Sequence, residues 1–117
     1  MNGLNPIVIV SGARTPMGGM QGDFTTVTAS QLGSAAIGSA LQRAGLSGED
    51  VDEVIIGNVL CAGQGQAPAR QASIGAGIPD SVGATTVNKM CGSGMKAAML
   101  GHDLLLAGSS NVVVAGG

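Results

Sequence analysis

Apolar residues follow two different periods along the chain. Ile7, Val8, Ile9 and Val10 form an unbroken β-branched run between Asn5-Pro6 and Ser11-Gly12, the pattern of a strand buried on both faces. From Thr28 the period changes. Leu32, Ala36, Ile37, Leu41 and Ala44 recur at helical spacing, Thr28 and Gln31 stand at capping-box distance, and Gly45 stops the run, so a first helix is predicted. The run DEVIIGNV from Asp52 predicts a second buried strand. GQGQAPARQASIGAG from Gly63 leads through a loop into a small-residue helix opening near Pro68. After Pro79 and a turn, ATTVN at 84–88 predicts a third strand. GSGMKAAMLGHDLLLAG predicts a third helix ending at Gly108, and VVVA from Val112 a fourth strand. The order βαβαβαβ predicts an α/β fold: a mostly parallel sheet with right-handed crossovers and helices on both faces. In such sheets ligands sit outside the carboxyl ends of the strands. No repeat, linker or low-complexity tract interrupts the pattern. The last run, VVVAGG, ends on a strand and a diglycine with nothing to cover the sheet edge. The chain is therefore expected to be cut from something longer or completed by another polypeptide.

Composition narrows this picture. A length of 117 residues allows one domain with a real core but is small for a complete enzyme of the open α/β type. A net charge of −2, with Arg14, Arg43, Arg70, Lys89 and Lys96 scattered, provides no basic field, and a nucleic-acid partner is not expected. No run approaches the ~20 apolar residues of a membrane helix. The start, MNGLNPIVIV, lacks a cationic region followed by a long apolar core and a cleavage site, so a soluble, untargeted, cytoplasmic protein is expected. Cys61 and Cys91, the only cysteines, are expected to be reduced thiols. With 21 glycines and Phe24 as the single aromatic residue, the core must rest on Val, Ile, Leu, Met and close Ala/Gly contacts.

Cys91 carries the candidate chemistry. It lies where the third strand gives way to the third helix, and unpaired amides and the positive dipole end at a helix start stabilise a thiolate. Gly92 and Gly94 leave room for an approaching acyl group. A small buried cysteine fits the same pattern, and the residues leave both readings open. His102, the only histidine, is not its base, since eleven residues of helix at ~1.5 Å rise separate the two by roughly 16 Å. It shares a stripe with Met95, Met99 and Leu106, which predicts a packing or edge position. Cys61, between GNVL and AGQG, reads as structural. The GQGQ at 63–66 and GSG at 92–94 do not form a dinucleotide fingerprint. Glu49, Asp50, Asp52 and Glu53 read as a solvated loop with capping roles, and no His/Cys set has zinc spacing, so no metal site is expected. Met90 and Met95 flank Cys91 and can shape an apolar acyl pocket.

VNKMCGSGMKA, followed by a helix and VVVAGG, resembles the thiolases, specifically those of the acetyl-CoA acetyltransferase type. So do SGARTPMGGMQGDF, GNVL and GQGQAPARQA, in the same order along nearly the whole chain. The resemblance implies a layered α/β thiolase fold of which residues 1–117 form an incomplete N-terminal domain, without its final strand and the C-terminal domain. It also implies an acyl-CoA substrate. Cys91 matches the cysteine that takes an acetyl group from acetyl-CoA and passes it to a second acetyl-CoA, or, in the reverse direction, serves the cleavage of acetoacetyl-CoA by free coenzyme A. The Cys91 N–H would be one donor to the thioester oxyanion. No cofactor beyond coenzyme A thioesters as substrates is implied. The family's activating histidine, second cysteine and oxyanion asparagine belong to later motifs, and Cys61 does not match that second cysteine. No coenzyme A-binding residue is assigned. A homo-oligomer is implied, together with a missing C-terminal portion or partner chain. The other reading is a non-catalytic half-thiolase that acts as a structural or interaction subunit.

Overall fold

The structure, a computed structural model, describes residues 5–117, so the first four residues of the stretch read as untargeted lie outside the described residues. Helix α1 (Ala29–Ala44) forms as its signals require. Thr28 Oγ1 accepts the Gln31 N–H at 3.1 Å, and Gln31 Oε1 accepts the Thr28 N–H at 2.8 Å. At the other end Gly45 takes φ 69°, and the following amide of Leu46 donates back to Leu41 O. A single 3-10 turn (Gly48–Asp50) leads to β1 (Glu53–Gly57), then α2 (Pro68–Gly75), β2 (Gly83–Val87), α3 (Ser93–Ala107) and β3 (Val113–Gly116). The start of α2 is tied to β2, where Thr86 Oγ1 accepts the Ala69 N–H.

The strands form a parallel sheet in the order β2-β1-β3, with Val54 level with Ala84 on one side and Val114 on the other. Alternation then sorts the layers. Val54, Ile56, Ala84 and Val114 face Ile37 and Leu41 of α1 and Ala72 of α2, and this is the core. Ala72 lies so close to α1 that a Cβ on Gly33 would come within 3.0 Å of its methyl group. On the other face, a Cβ on Gly101 of α3 would stand 3.1 Å from Val113 Cγ1 and 3.6 Å from Ala115 Cβ. The helices thus cover both faces, as the sequence predicts. The entries to β1 and β3 are locked together: Asp52 Oδ2 accepts the Asn111 N–H at 2.7 Å and the Val112 N–H at 3.0 Å. The bonds from Asn111 and Val112 hold the Asp52 carboxyl below the usual aspartate value.

One predicted element does not form. Residues 7–10 are no strand, and Val8, Ile9 and Val10 are exposed, Ile9 to 94%. β-Branched composition only suits a strand; a ladder partner makes one. The segment is tied instead to α1, through the Ser11 hydroxyl on Ala40 O and Arg43 Nη1 on Gly12 O. The outer edge of β3 has no partner among the described residues. Between this edge, the 7–15 segment, α1 and α3 runs a cleft of about 850 Å3. Among the described residues no helix is long and apolar enough to cross a membrane.

Candidate active site

The carboxyl ends of β1, β2 and β3 meet the start of α3. Glycine permits the approach: a Cβ on Gly57 would lie 2.6 Å from Ser93 Cβ and 2.7 Å from Gly94 N, and one on Gly117 would lie 2.7 Å from Gly94 Cα. From β2 the chain turns through Asn88, Lys89 and Met90 to Cys91. The Gly92 N–H donates to Lys89 O at 3.0 Å and the Ser93 N–H to Met90 O at 3.1 Å. Cys91 is exposed on this turn, just outside the helix, whose N-cap is Gly92. The amides of Gly94 and Met95, in the first turn of α3, have no backbone acceptor among the described residues. The buried-cysteine reading therefore falls. An exposed thiol precedes, by a few residues of the same turn, amides of a kind suited to a developing negative charge.

The remaining candidates separate from it. His102 is exposed, with Nδ1 3.5 Å from Asp103 Oδ1. Its stripe is not the packing face of α3. Met95 is 74% and Met99 54% exposed, whereas the buried positions are Ser93, Ala97 and Gly101. The reason is distance: where a helix lies this close to a sheet, only small residues fit directly beneath it, so Met95 and Met99 point outward and the leucines of α3 are half-buried at its flanks. Met90 is exposed as well. Cys61 is exposed on the loop after β1, its thiol 3.7 Å from Asn58 O. The glutamines of GQGQ tie that loop down. Gln64 Oε1 accepts from Asn58 Nδ2, while Gln71 Nε2 donates to the carbonyls of Gln64 and Gln66. Of the acidic residues, Asp50 accepts the Ser47 N–H and Asp52 the two amides of β3's entry. Sequence reasoning missed Asn88, Ser93 and Gly57 at this site. The Asx-turn signal of Asn88, two residues before Met90, was the one available clue.

The cleft at the β3 edge does not reach Cys91. What the fold and turn define is a three-layer α/β domain that displays a thiol at the carboxyl end of its sheet. Residues 7–117 match the family model for the thiolase N-terminal domain. The chain is 56% identical over its full length to the cytosolic acetyl-CoA acetyltransferase ERG10 of Gibberella zeae, covering 30% of that protein. It is 55% identical, over 97% of its length and 29% of the relative, to acetyl-CoA acetyltransferase 2 of Arabidopsis thaliana. The mitochondrial acetyl-CoA acetyltransferase of Xenopus tropicalis is 54% identical over 97% of this chain and 27% of the relative. In structure, the Acat5 thiolase of Ascaris suum, crystallised with coenzyme A, superposes with a TM-score of 0.89 at 40% identity, over 92% of this chain and 28% of that one. The chain belongs to the thiolase family, its residues 7–117 matching the N-terminal domain. It spans less than a third of the length of these relatives.

Proposed function

We propose that this chain is the acyl-accepting segment of an acetyl-CoA acetyltransferase. The observation that carries the reading is the exposed Cys91 on the β2–α3 turn, inside a segment that matches acetyl-CoA acetyltransferases from end to end. Cys91 Sγ attacks the carbonyl carbon of acetyl-CoA, a thioester bond forms, and the coenzyme A thiolate leaves. The oxyanion that develops takes hydrogen bonds from amides at the start of α3. The acetyl group then passes to the carbon of a second acetyl-CoA; in reverse, coenzyme A cleaves acetoacetyl-CoA. His102, exposed and far along α3, is not the base for either step. Resemblance assigns the base and the second acid/base to motifs other than those matched here.

The rest of such an enzyme has surfaces to meet. The β3 edge, unpaired among the described residues, the exposed 7–10 segment and the outward face of α3 at Met95 and Met99 suit burial in a larger, homo-oligomeric assembly. The cytosolic relative from Gibberella zeae supports a cytoplasmic setting.

A chimera tests the proposal: residues 7–117 replace the matching segment of the Arabidopsis relative, and thiolysis of acetoacetyl-CoA is measured. Turnover that disappears with Cys91→Ser is expected. The isolated chain should give none, because carbon–carbon bond making needs a second substrate held ~3–3.5 Å from the acyl carbon. Turnover that survives Cys91→Ser refutes the assignment, and a folded but inactive chimera favours the structural half-thiolase.

A further inference from the structure

The turn that carries Cys91 is one its own residues disfavour. Met90 has φ 49°, the left-handed region that a side chain with a Cβ resists, and it is followed directly by the thiol. Ser93 spans this strained residue. Its hydroxyl, on a residue only 4% exposed, accepts the Lys89 N–H at 2.9 Å and donates to Met90 O. Asn88 Oδ1 holds the Met90 N–H from the β2 side at 2.9 Å. Ser93 is in turn seated against Gly57, where any Cβ would displace it.

A serine at a helix start usually caps the helix, its oxygen turned forward to the second or third amide. Ser93 does not. It is the first residue of α3, the N-cap position belongs to Gly92 without a side-chain cap, and the hydroxyl bonds backward into the turn. A buried hydroxyl with both its bonds on the residues before the thiol serves the turn rather than the helix.

We propose that Ser93 is a positioning residue for Cys91: it holds Met90 in its left-handed conformation and so fixes the turn that presents the thiol ahead of α3. The proposal rests on the reading of Cys91 as the nucleophile. It names no contact between Ser93 and substrate; the serine acts through the backbone of the turn.

Two readouts on the intact chain test it. Limiting iodoacetamide followed by mass spectrometry gives the Cys91-to-Cys61 labelling ratio, with Cys61, also exposed, as the reference in the same molecule. The amide–Hα coupling of Met90 by NMR reports its φ. Wild type is expected to label Cys91 first. In Ser93→Ala the Met90 coupling should leave its left-handed value and the ratio should fall about fivefold, the size of a lost helix-terminus interaction. Met90→Gly alone should keep the ratio. Ser93→Ala combined with Met90→Gly should recover most of it, because glycine takes the left-handed φ without help; general destabilisation would not be reversed by a more flexible residue. An unchanged Met90 coupling in Ser93→Ala overturns the proposal, as does a double variant no better than Ser93→Ala. A wild-type chain that labels both thiols equally sinks the nucleophile reading instead, and the Met90 coupling still decides whether Ser93 holds the turn.

Discussion

Replacing Gly57 with alanine should be far more damaging than its single added methyl suggests. The new Cβ would stand 2.6 Å from Ser93 Cβ and 2.7 Å from Gly94 N. Carbon atoms pack at about 3.5–4.0 Å, so the start of α3 must retreat by roughly 1 Å. It has little freedom to do so, because Ser93, Ala97 and Gly101 are already buried against the sheet and the obstacle is backbone rather than a flexible side chain. Overpacking of this kind costs about 1–3 kcal/mol, and the rigid surroundings place Gly57→Ala near 3. With a urea dependence of roughly 1–3 kcal/mol per molar, the unfolding midpoint should drop by about 1–3 M. Gly116→Ala is the control on the neighbouring strand. Its Cβ would meet only Ile56 Cδ1, at an ordinary 3.8 Å, and the variant should stay within about 0.5 kcal/mol of wild type. Urea titrations followed by circular dichroism compare the pair. If Gly57→Ala unfolds within half a kilocalorie of Gly116→Ala, α3 is not seated on the backbone of β1 and the close-approach argument is wrong.

Other expectations follow from the hydrogen bonds that start β3 and α1. The Asp52 carboxyl is held below the ordinary aspartate value of 3.8 by the amides of Asn111 and Val112, so its contribution is present above that value and is lost as pH falls through the lower folded one. The advantage of wild type over Asp52→Asn in urea midpoint should accordingly shrink as the medium is acidified below 3.8; a gap that stays constant with pH counts against the assignment. Thr28→Ala removes the oxygen that accepts the Gln31 amide and should cost about 1 kcal/mol by urea titration, with Thr28→Ser losing only a few tenths; equal losses would mean that the box does not hold α1.

Helix α1 was legible almost residue by residue, because its cap, apolar stripe and terminal glycine all speak through local spacing. The parallel order of the later strands was legible for the same reason, through alternation with helices long enough to cross over. Residues 7–10 misled because strand formation depends on a neighbour, which composition does not encode. Helix α3 misled differently. Met95 and Met99 looked like part of the buried face, but the sheet comes so close that Ser93, Ala97 and Gly101 take that place. At the site, Cys91 stood out through its glycines and its junction position. Ser93 did not, since its role is set by a backward hydrogen bond across a left-handed residue, and no periodicity announces a φ angle.

The central position of β1 also sets a timetable for synthesis. Its Glu53 lies level with Gly83 and Val113, partners 30 and 60 positions later in the chain. On a ribosome the middle strand therefore emerges with neither neighbour, gains one when β2 appears, and waits for the second until β3 has been made. Such long-range pairings are slow to form and leave strand edges open in the interval. Gly117 packs on Gly94 only after that, so the thiol-bearing turn settles later than the strands β1 and β2 that lead to it. A nascent chain that already contains Cys91 carries the reactive atom well before it carries the setting that directs it.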